Sequence, residues 1–193
     1  MTILDRFSML LFQPDAATYD LYHEPLFREA IIFVTIYAAL SGLSSVLVVA
    51  MDVGGSGFLF ITFLGSFLVV YLMWVFLSVA LHVAASAWGG SGVLPNAFGY
   101  VGLATAPMIL TTTVAIIAIL VLPMVVEDDP QGAVKNFNLI LTLVGMAWGW
   151  PGILCYFGMR NAERLDSFKA FILVFFAFCL LAGFIVVSSN VLE

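Results

Sequence analysis

The sequence predicts an all-α, polytopic membrane protein: a bundle of five transmembrane helices preceded by short N-terminal amphipathic helices at the membrane interface. The 193-residue chain is 63% hydrophobic and only 9% charged, whereas soluble domains are about a quarter charged. Five uncharged apolar stretches are each long enough to cross a bilayer, which takes roughly 20 helical residues. The stretches are continuous rather than alternating in polarity, and this pattern favours helices over barrel strands.

Two regions follow from this pattern. Residues 1–29 form a cytoplasmic amphipathic segment, and residues 30–193 form the membrane domain. The second apolar stretch is the longest, but it is too short to cross twice, so we expect it to tilt or to extend beyond the hydrocarbon. The predicted spans are residues 30–51, 58–88, 100–126, 137–159 and 170–192.

The distribution of basic residues predicts the orientation, because loops rich in Lys and Arg stay in the cytoplasm. With five spans, one side of the membrane would carry five of the six Lys and Arg residues: Arg6, Arg28, Arg160, Arg164 and Lys169. Lys135 would be the only basic residue on the other side. We therefore expect a multi-pass protein of the cell membrane with a cytoplasmic N-terminus and an extracellular C-terminus. The net charge of −6 and the lack of a basic patch make nucleic acid an unsuitable partner.

The N-terminal segment predicts two short helices. Pro14 ends the first, and Asp15 can cap a second that Pro25 ends or kinks. One face of the first helix is apolar and consists of Ile3, Leu4, Phe7, Leu10 and Leu11. Two interpretations stay open for this helix: it lies on the inner leaflet, or it packs against the protein's own bundle.

The predicted spans contain few residues that could catalyse a reaction or bind a metal. Their only histidine is His82, near the inner interface, where a hydrogen-bonded histidine is favoured over a proton relay. Hydroxyl groups are available, but no acid–base pair accompanies them. Cys155 and Cys179 lie inside apolar stretches, and this placement indicates packing rather than metal binding. The sequence therefore predicts no enzyme, no catalytic residue, no cofactor and no metal.

Prolines and glycines provide the remaining local features. Pro107 and Pro151 lie at matching depths, roughly 10 and 12 Å from the inner boundary at 1.5 Å per residue, and kinks there would open the inner half of the bundle. Gly145 and Gly149 form a GxxxG pair, which fits close packing within the chain or a homo-oligomer seam.

The stretch "WGGSG" predicts a sharp cytoplasmic turn between the second and third spans. It lacks the lysine and the preceding strand of a phosphate-binding loop. Glycines allow close backbone approach here, and Trp88 and Tyr100 are expected to anchor the flanking helices at the interface.

Three stretches resemble the Yip family of Ypt/Rab-interacting membrane proteins: "LFQPDAATYDLYHEP", "HVAASAWGGSGVLPNAFGYVGLATAP" and "GMRNAERLDSFKAF". The resemblance implies five spans with a cytoplasmic N-terminus. It also implies, for eukaryotic relatives, Rab GTPase partners and a trafficking role at ER and Golgi membranes. Only 29 residues precede the first span, so the chain is similar to short, prokaryotic-type members.

The first functional hypothesis is a non-enzymatic membrane protein that acts by partner binding, membrane organisation or both. Its partners would be the lipid bilayer and a protein on the cytoplasmic face, GTPase-like by the resemblance alone. The alternative is a small channel or transporter for lipid or an uncharged solute through a cavity in the inner half. The candidate partner face comprises Pro14, Arg160, Arg164 and Lys169. The candidate loop and kink residues are His82, Trp88, Gly89, Gly90, Gly99, Tyr100, Pro107 and Pro151.

Overall fold

A computed structural model describes residues 3–19, 26–53, 56–126 and 149–191. Helices account for nearly all of these residues, and the described ranges contain no strand. The helices are α1 (Ile3–Phe12), α2 (Pro14–Tyr19), α3 (Phe27–Val53), α4 (Ser56–Ala87), α5 (Leu94–Leu103), α6 (Ala106–Val126), α7 (Gly149–Ala162) and α8 (Ser167–Val191).

Three helical stretches in the described part of the chain are long and apolar enough to cross a membrane: Phe27–Ala50, Phe58–Ala87 and Leu94–Val121. A shorter apolar stretch covers Ser167–Leu180. This confirms the all-helical, multi-pass class. Most of the fourth predicted span, residues 137–159, lies outside the described residues.

The predicted break near Pro107 is present, three residues earlier than the proline itself. The third apolar stretch is divided between α5 and α6, and Pro107 is the second residue of α6. Proline cannot donate a backbone hydrogen bond, and its ring clashes with the carbonyl one turn before it. At the break, the carbonyl of Gly102 accepts from both the backbone amide of Thr105, at 3.1 Å, and its hydroxyl, at 2.7 Å. Pro151 is the third residue of α7, so the turn before it is not described.

The core lies where α3, α4, α5 and α7 meet, in the half of the bundle near the N-terminal helices. Small residues permit the close helix contacts. A Cβ added to Gly102 would lie 2.5 Å from the Cβ of Ala30, and one added to Gly42 would lie 2.8 Å from the ring of Phe63. The largest fully buried apolar side chains are those of Leu10, Val34, Tyr100, Leu103, Leu154 and Met159.

The N-terminal helices pack against the bundle, as the second interpretation of α1 predicts. Leu10 is fully buried, and the ring of Phe7 stacks on Phe33 with centroids 6.0 Å apart. Leu4 and Phe12 stay exposed on the same helix. The helix therefore docks on the protein through one side and leaves apolar side chains on the other.

Candidate functional site

Three segments lie at one end of the bundle: helix α2, which is bonded to the end of α7, the loop of residues 88–93, and the link of residues 163–166, which follows α7. We call this the polar end. The backbone amide of Ser91 donates to the carbonyl of Glu163 at 2.9 Å, which joins the loop to the link. The side chain of Asn161 in α7 is hydrogen-bonded to Asp15 and Thr18 of α2. The candidate functional residues lie in or near these segments, apart from Pro107 and Pro151.

The loop is a sharp turn, as the sequence predicts, but it is shorter than expected. Gly89 has a φ of 92°, in the left-handed region that favours glycine. The amide of Gly90 then donates to the carbonyl of Ala85 at 2.8 Å and closes the end of α4. Because α5 begins at Leu94, Gly99 lies inside a helix rather than in the loop.

The prediction that Tyr100 anchors a helix at the membrane interface is wrong. Its side chain is 0% exposed, whereas that of Trp88 is 40% exposed. A Cβ added to Gly158 of α7 would lie 2.3 Å from the Cβ of Tyr100. The missing side chain at Gly158 makes room for the tyrosine between α5 and α7, so Tyr100 packs within the protein.

His82 forms a pair with a residue that sequence reasoning missed. Its Nδ1 lies 3.1 Å from Oε1 of Glu163, whose side chain is 0% exposed. The favoured interpretation of His82 as a hydrogen-bonded histidine fits this contact. Glu163 lies four residues beyond the fourth predicted span, in a polar connection where an acidic residue is unremarkable in sequence. The partners are 81 positions apart in the chain, which explains why no local pattern revealed the pair.

The carboxyl group of Glu163 lies directly beneath the glycine loop. A Cβ added to Gly92 would lie 2.3 Å from Glu163 Oε2. Among the described residues, Oε2 has no hydrogen-bond partner of regular geometry. Burial raises the pKa of the Glu163 carboxyl above its ordinary value, although the hydrogen bond and charge of His82 and the amide of Gly92 act in the opposite direction.

A second polar cluster holds α2 against α7. The side-chain amide of Asn161 donates to Oδ1 of Asp15 at 2.9 Å and to the hydroxyl of Thr18 at 3.0 Å. The guanidinium of Arg160 also pairs with Asp15 and lies 5.1 Å from the ring centre of Phe157. The hydrogen bond from Asn161, together with Arg160, holds the pKa of Asp15 below its usual value against the opposing effect of burial.

The other predicted partner-face residues also lie near the polar end. Pro14 begins α2. Lys169, at the start of α8, donates from Nζ to the carbonyl of Trp88 at 3.0 Å. Arg164 is exposed in the link and has a φ of 54°, which is uncommon for a residue other than glycine. The four residues predicted from charge and resemblance thus belong to one end of the structure.

A cavity of about 710 Å³ lies between the helices, towards the middle of the bundle. Pro151 lines it, while Pro107 does not appear among its described lining residues. Trp74, Val101, Met108 and Phe178 give it a mainly apolar wall. A smaller pocket of about 200 Å³ is lined partly by hydroxyl groups, those of Ser41, Ser44, Ser45, Thr111 and Thr112.

The described residues include no group of three or more His, Cys, Asp or Glu side chains that could hold a metal ion. Both cysteines are free; Cys155 is buried and Cys179 is exposed. A Cβ added to Gly149 would meet no described atom within 4 Å, so this residue presents an open surface. Its predicted GxxxG partner Gly145 lies outside the described residues.

Comparison with known protein families gives one match. The family model described as the Yip1 domain matches residues 7–189. No curated protein and no solved structure matches the chain. The match includes all of α2 to α7, the glycine loop and the link, so it includes every segment of the polar end.

Proposed function

The chain belongs to the Yip1 domain family, and from this premise we propose that it is a non-enzymatic membrane protein that binds a partner, organises the membrane, or does both through its polar end. One observation carries the proposal. Three segments distant in sequence are joined into a single surface at one end of an apolar bundle. The joining contacts are those of Ser91 with Glu163, Asn161 with Asp15, and Lys169 with Trp88.

A preorganised surface favours binding, because its residues lose less conformational entropy when a partner docks. The polar end has this property, since its segments are fixed to the bundle by side-chain and backbone hydrogen bonds. It also displays exposed apolar side chains beside charged ones. Trp88, Val93 and Phe168 are exposed near Lys169. This mixture suits a protein surface or the headgroup region of a bilayer.

We extend the proposal to five spans, with the polar end in the cytoplasm and the C-terminus on the opposite side. Three membrane-length helices and the apolar start of α8 support the count. Arg28, Arg160, Arg164 and Lys169 lie at or near the polar end, and the positive-inside rule places such an end in the cytoplasm. The exposed apolar side chains of α4, such as Phe60, Leu72 and Phe76, then face lipid.

The partner class rests on the family alone. A GTPase-like protein is the partner to test first, and a second copy of the chain is the alternative, since Gly149 offers an open small-residue surface.

Site-specific photocrosslinking tests the proposal. A photoreactive residue at Ala16 or Ser91, both exposed at the polar end, should yield a discrete protein adduct in native membranes. The same residue at Phe60, exposed on the distant part of α4, is the matched control. Adducts at Phe60 only, or lipid adducts alone from all three positions, would count against partner binding through this end.

The cavity of about 710 Å³ supports a second candidate function, passage or storage of a lipid or uncharged solute. Its volume lies within the range of about 300–1,000 Å³ typical of small-molecule sites. Its few hydroxyl groups are partly occupied, because Ser66 donates to Ser45 at 2.9 Å and Thr105 to Gly102. An apolar guest fits such a lining better than an ion.

Proteoliposome flux tests this second candidate. Gly65 lines the cavity, and a Cβ added there meets no described atom within 4 Å, so Gly65→Phe adds bulk without a clash against the described backbone. We expect this variant to slow the flux of a fluorescent lipid. Leu72→Phe is the control, since Leu72 is exposed on the same helix but is not among the described residues that line the cavity. Wild-type flux no greater than that of empty liposomes would exclude the candidate.

A further inference from the structure

The buried carboxylate of Glu163 occupies an unusual position for a charged group. It lies in a connection between helices, yet its side chain is 0% exposed. A buried charge is costly unless it is paired and fully hydrogen-bonded. Here one oxygen contacts His82 at 3.1 Å, and the other has no regular hydrogen-bond partner among the described residues.

The loop of residues 88–93 is the cover that buries it. Gly92 lies so close that a Cβ there would come within 2.3 Å of Oε2. The amide of Ser91 is bonded to the carbonyl of the same glutamate at 2.9 Å. Opening the loop would therefore rehydrate the carboxylate and break the Ser91 bond in one movement.

The other titratable groups around the carboxylate are few in the described part of the chain. His82 of α4 is in contact with it, and Tyr100 of α5 interacts with it electrostatically. The loop itself contributes none. The remaining charged residues nearby are exposed or bonded elsewhere: Arg160, Arg164, Asp166 and Lys169.

We propose that Glu163, His82 and the glycine loop form a proton-controlled latch, in which the loop is closed over the carboxyl group when Glu163 is protonated and opens more readily when Glu163 is ionised. The direction of the pH dependence follows from the linkage between proton binding and loop closure. Burial raises the pKa of Glu163 in the closed state, so this state holds the proton more tightly than an open, hydrated one. The stabilisation of the closed loop is complete below the ordinary glutamate pKa and is lost as the pH rises through the raised value.

The latch concerns the face to which the proposed function assigns partner binding, but it requires no partner. Hydrogen exchange of the purified full-length protein in nanodiscs therefore tests it independently. The measured quantity is the protection factor of the Ser91 amide, corrected for the intrinsic pH dependence of exchange. In the wild type, protection should be highest in mildly acidic buffer. The protection factor should fall as the pH rises, by at most about tenfold for each unit by which the pKa of Glu163 is raised in the closed state.

Three variants sharpen the test. Glu163→Gln should show high protection at every pH, because it mimics the protonated state. His82→Phe should move the transition to higher pH, since His82 lowers the pKa of Glu163. Asp166→Asn, which changes an exposed acidic residue of the same link, should behave as wild type.

A flat pH profile in the wild type would overturn the latch, whether or not the variants fold. The same pH dependence in Glu163→Gln as in wild type would also overturn it, and so would an unmoved transition in His82→Phe. None of these outcomes depends on capture of a partner, so the latch and the proposed function can fail separately.

Discussion

The indole Nε1 of Trp150 donates a hydrogen bond to the carbonyl oxygen of Leu10 at 3.1 Å, across 140 residues of chain. Trp150 lies in the first turn of α7, and Leu10 is fully buried on α1. The bond satisfies a carbonyl near the end of a short helix, where intrahelical partners run out. It therefore fixes the N-terminal helix to the bundle at a defined position.

Trp150→Phe should loosen α1, because the substitution keeps an aromatic ring but removes the only donor of the indole. Leaving a buried acceptor unpaired costs about 1–3 kcal/mol. We expect faster hydrogen exchange in residues 3–12 and a lower thermal midpoint in detergent. Trp88→Phe is the control, since Trp88 is exposed and its substitution should change stability little. Equal effects of the two substitutions would show that ring size, not the hydrogen bond, matters.

The helical class and the positions of the described spans could be predicted from the sequence because each depends on a local run of apolar residues. The helix α3 runs from Phe27 to Val53, where residues 30–51 were predicted, and α4 runs from Ser56 to Ala87, where residues 58–88 were predicted. The break before Pro107 is equally local, since it follows from the missing amide of proline.

The polar contacts could not be predicted, because each joins residues far apart in the chain. Asp15 and Asn161 are 146 residues apart, and His82 and Glu163 are 81 apart. Tyr100 shows how a local rule can mislead: an aromatic residue near a helix end fits an interfacial anchor, but Gly158 of another helix provides its pocket. The charges and glycines selected candidate residues that the structure places near one end of the molecule, but they did not predict the pairs within it.

Gly158→Ala should destabilise the protein, whereas Gly152→Ala on the same helix should not. An added Cβ would lie 2.3 Å from the Cβ of Tyr100 at position 158, but 3.8 Å from the ring of Phe178 at position 152. The first contact lies close to the backbone of α5, so relief requires the helices to separate. Overpacking of this kind costs about 1–3 kcal/mol. Unfolding in detergent measures the difference, and equal midpoints for the two variants would contradict the packing of Tyr100 on Gly158.

Substitutions of Gly89 test the effect of backbone strain without that of steric clash. The φ of 92° at Gly89 disfavours side chains, although an added Cβ meets no atom of the described residues within 4 Å. Gly89→Val should therefore destabilise the turn through strain alone, and by more than Gly89→Asn, because asparagine tolerates the left-handed region better than a β-branched residue. Hydrogen exchange of residues 88–93 measures the turn directly. Identical exchange in the two variants would show that the turn does not require the left-handed conformation.

Acidification should release α2 while the latch at Glu163 tightens. The hydrogen bond from Asn161 and the pairing with Arg160 hold the pKa of Asp15 below its ordinary 3.8. The stabilisation is therefore complete above the ordinary value and is lost as the pH falls through the lowered one. Because the Asp15 side chain is about half exposed, the pair is worth only about 0–1 kcal/mol.

The measurement is hydrogen exchange of residues 14–19, corrected for intrinsic rates, in strongly acidic and neutral buffer. Asp15→Asn should raise the exchange of α2 at neutral pH and remove the acid-induced increase. Asp166→Asn alters the carboxyl group that accepts from the Phe168 amide, and it should leave α2 unchanged. If Asp15→Asn keeps the acid-induced release, another group controls the docking of α2. The opposite pH responses of the two clusters arise because burial is the largest effect on the pKa of Glu163, whereas hydrogen bonding is the largest on that of Asp15.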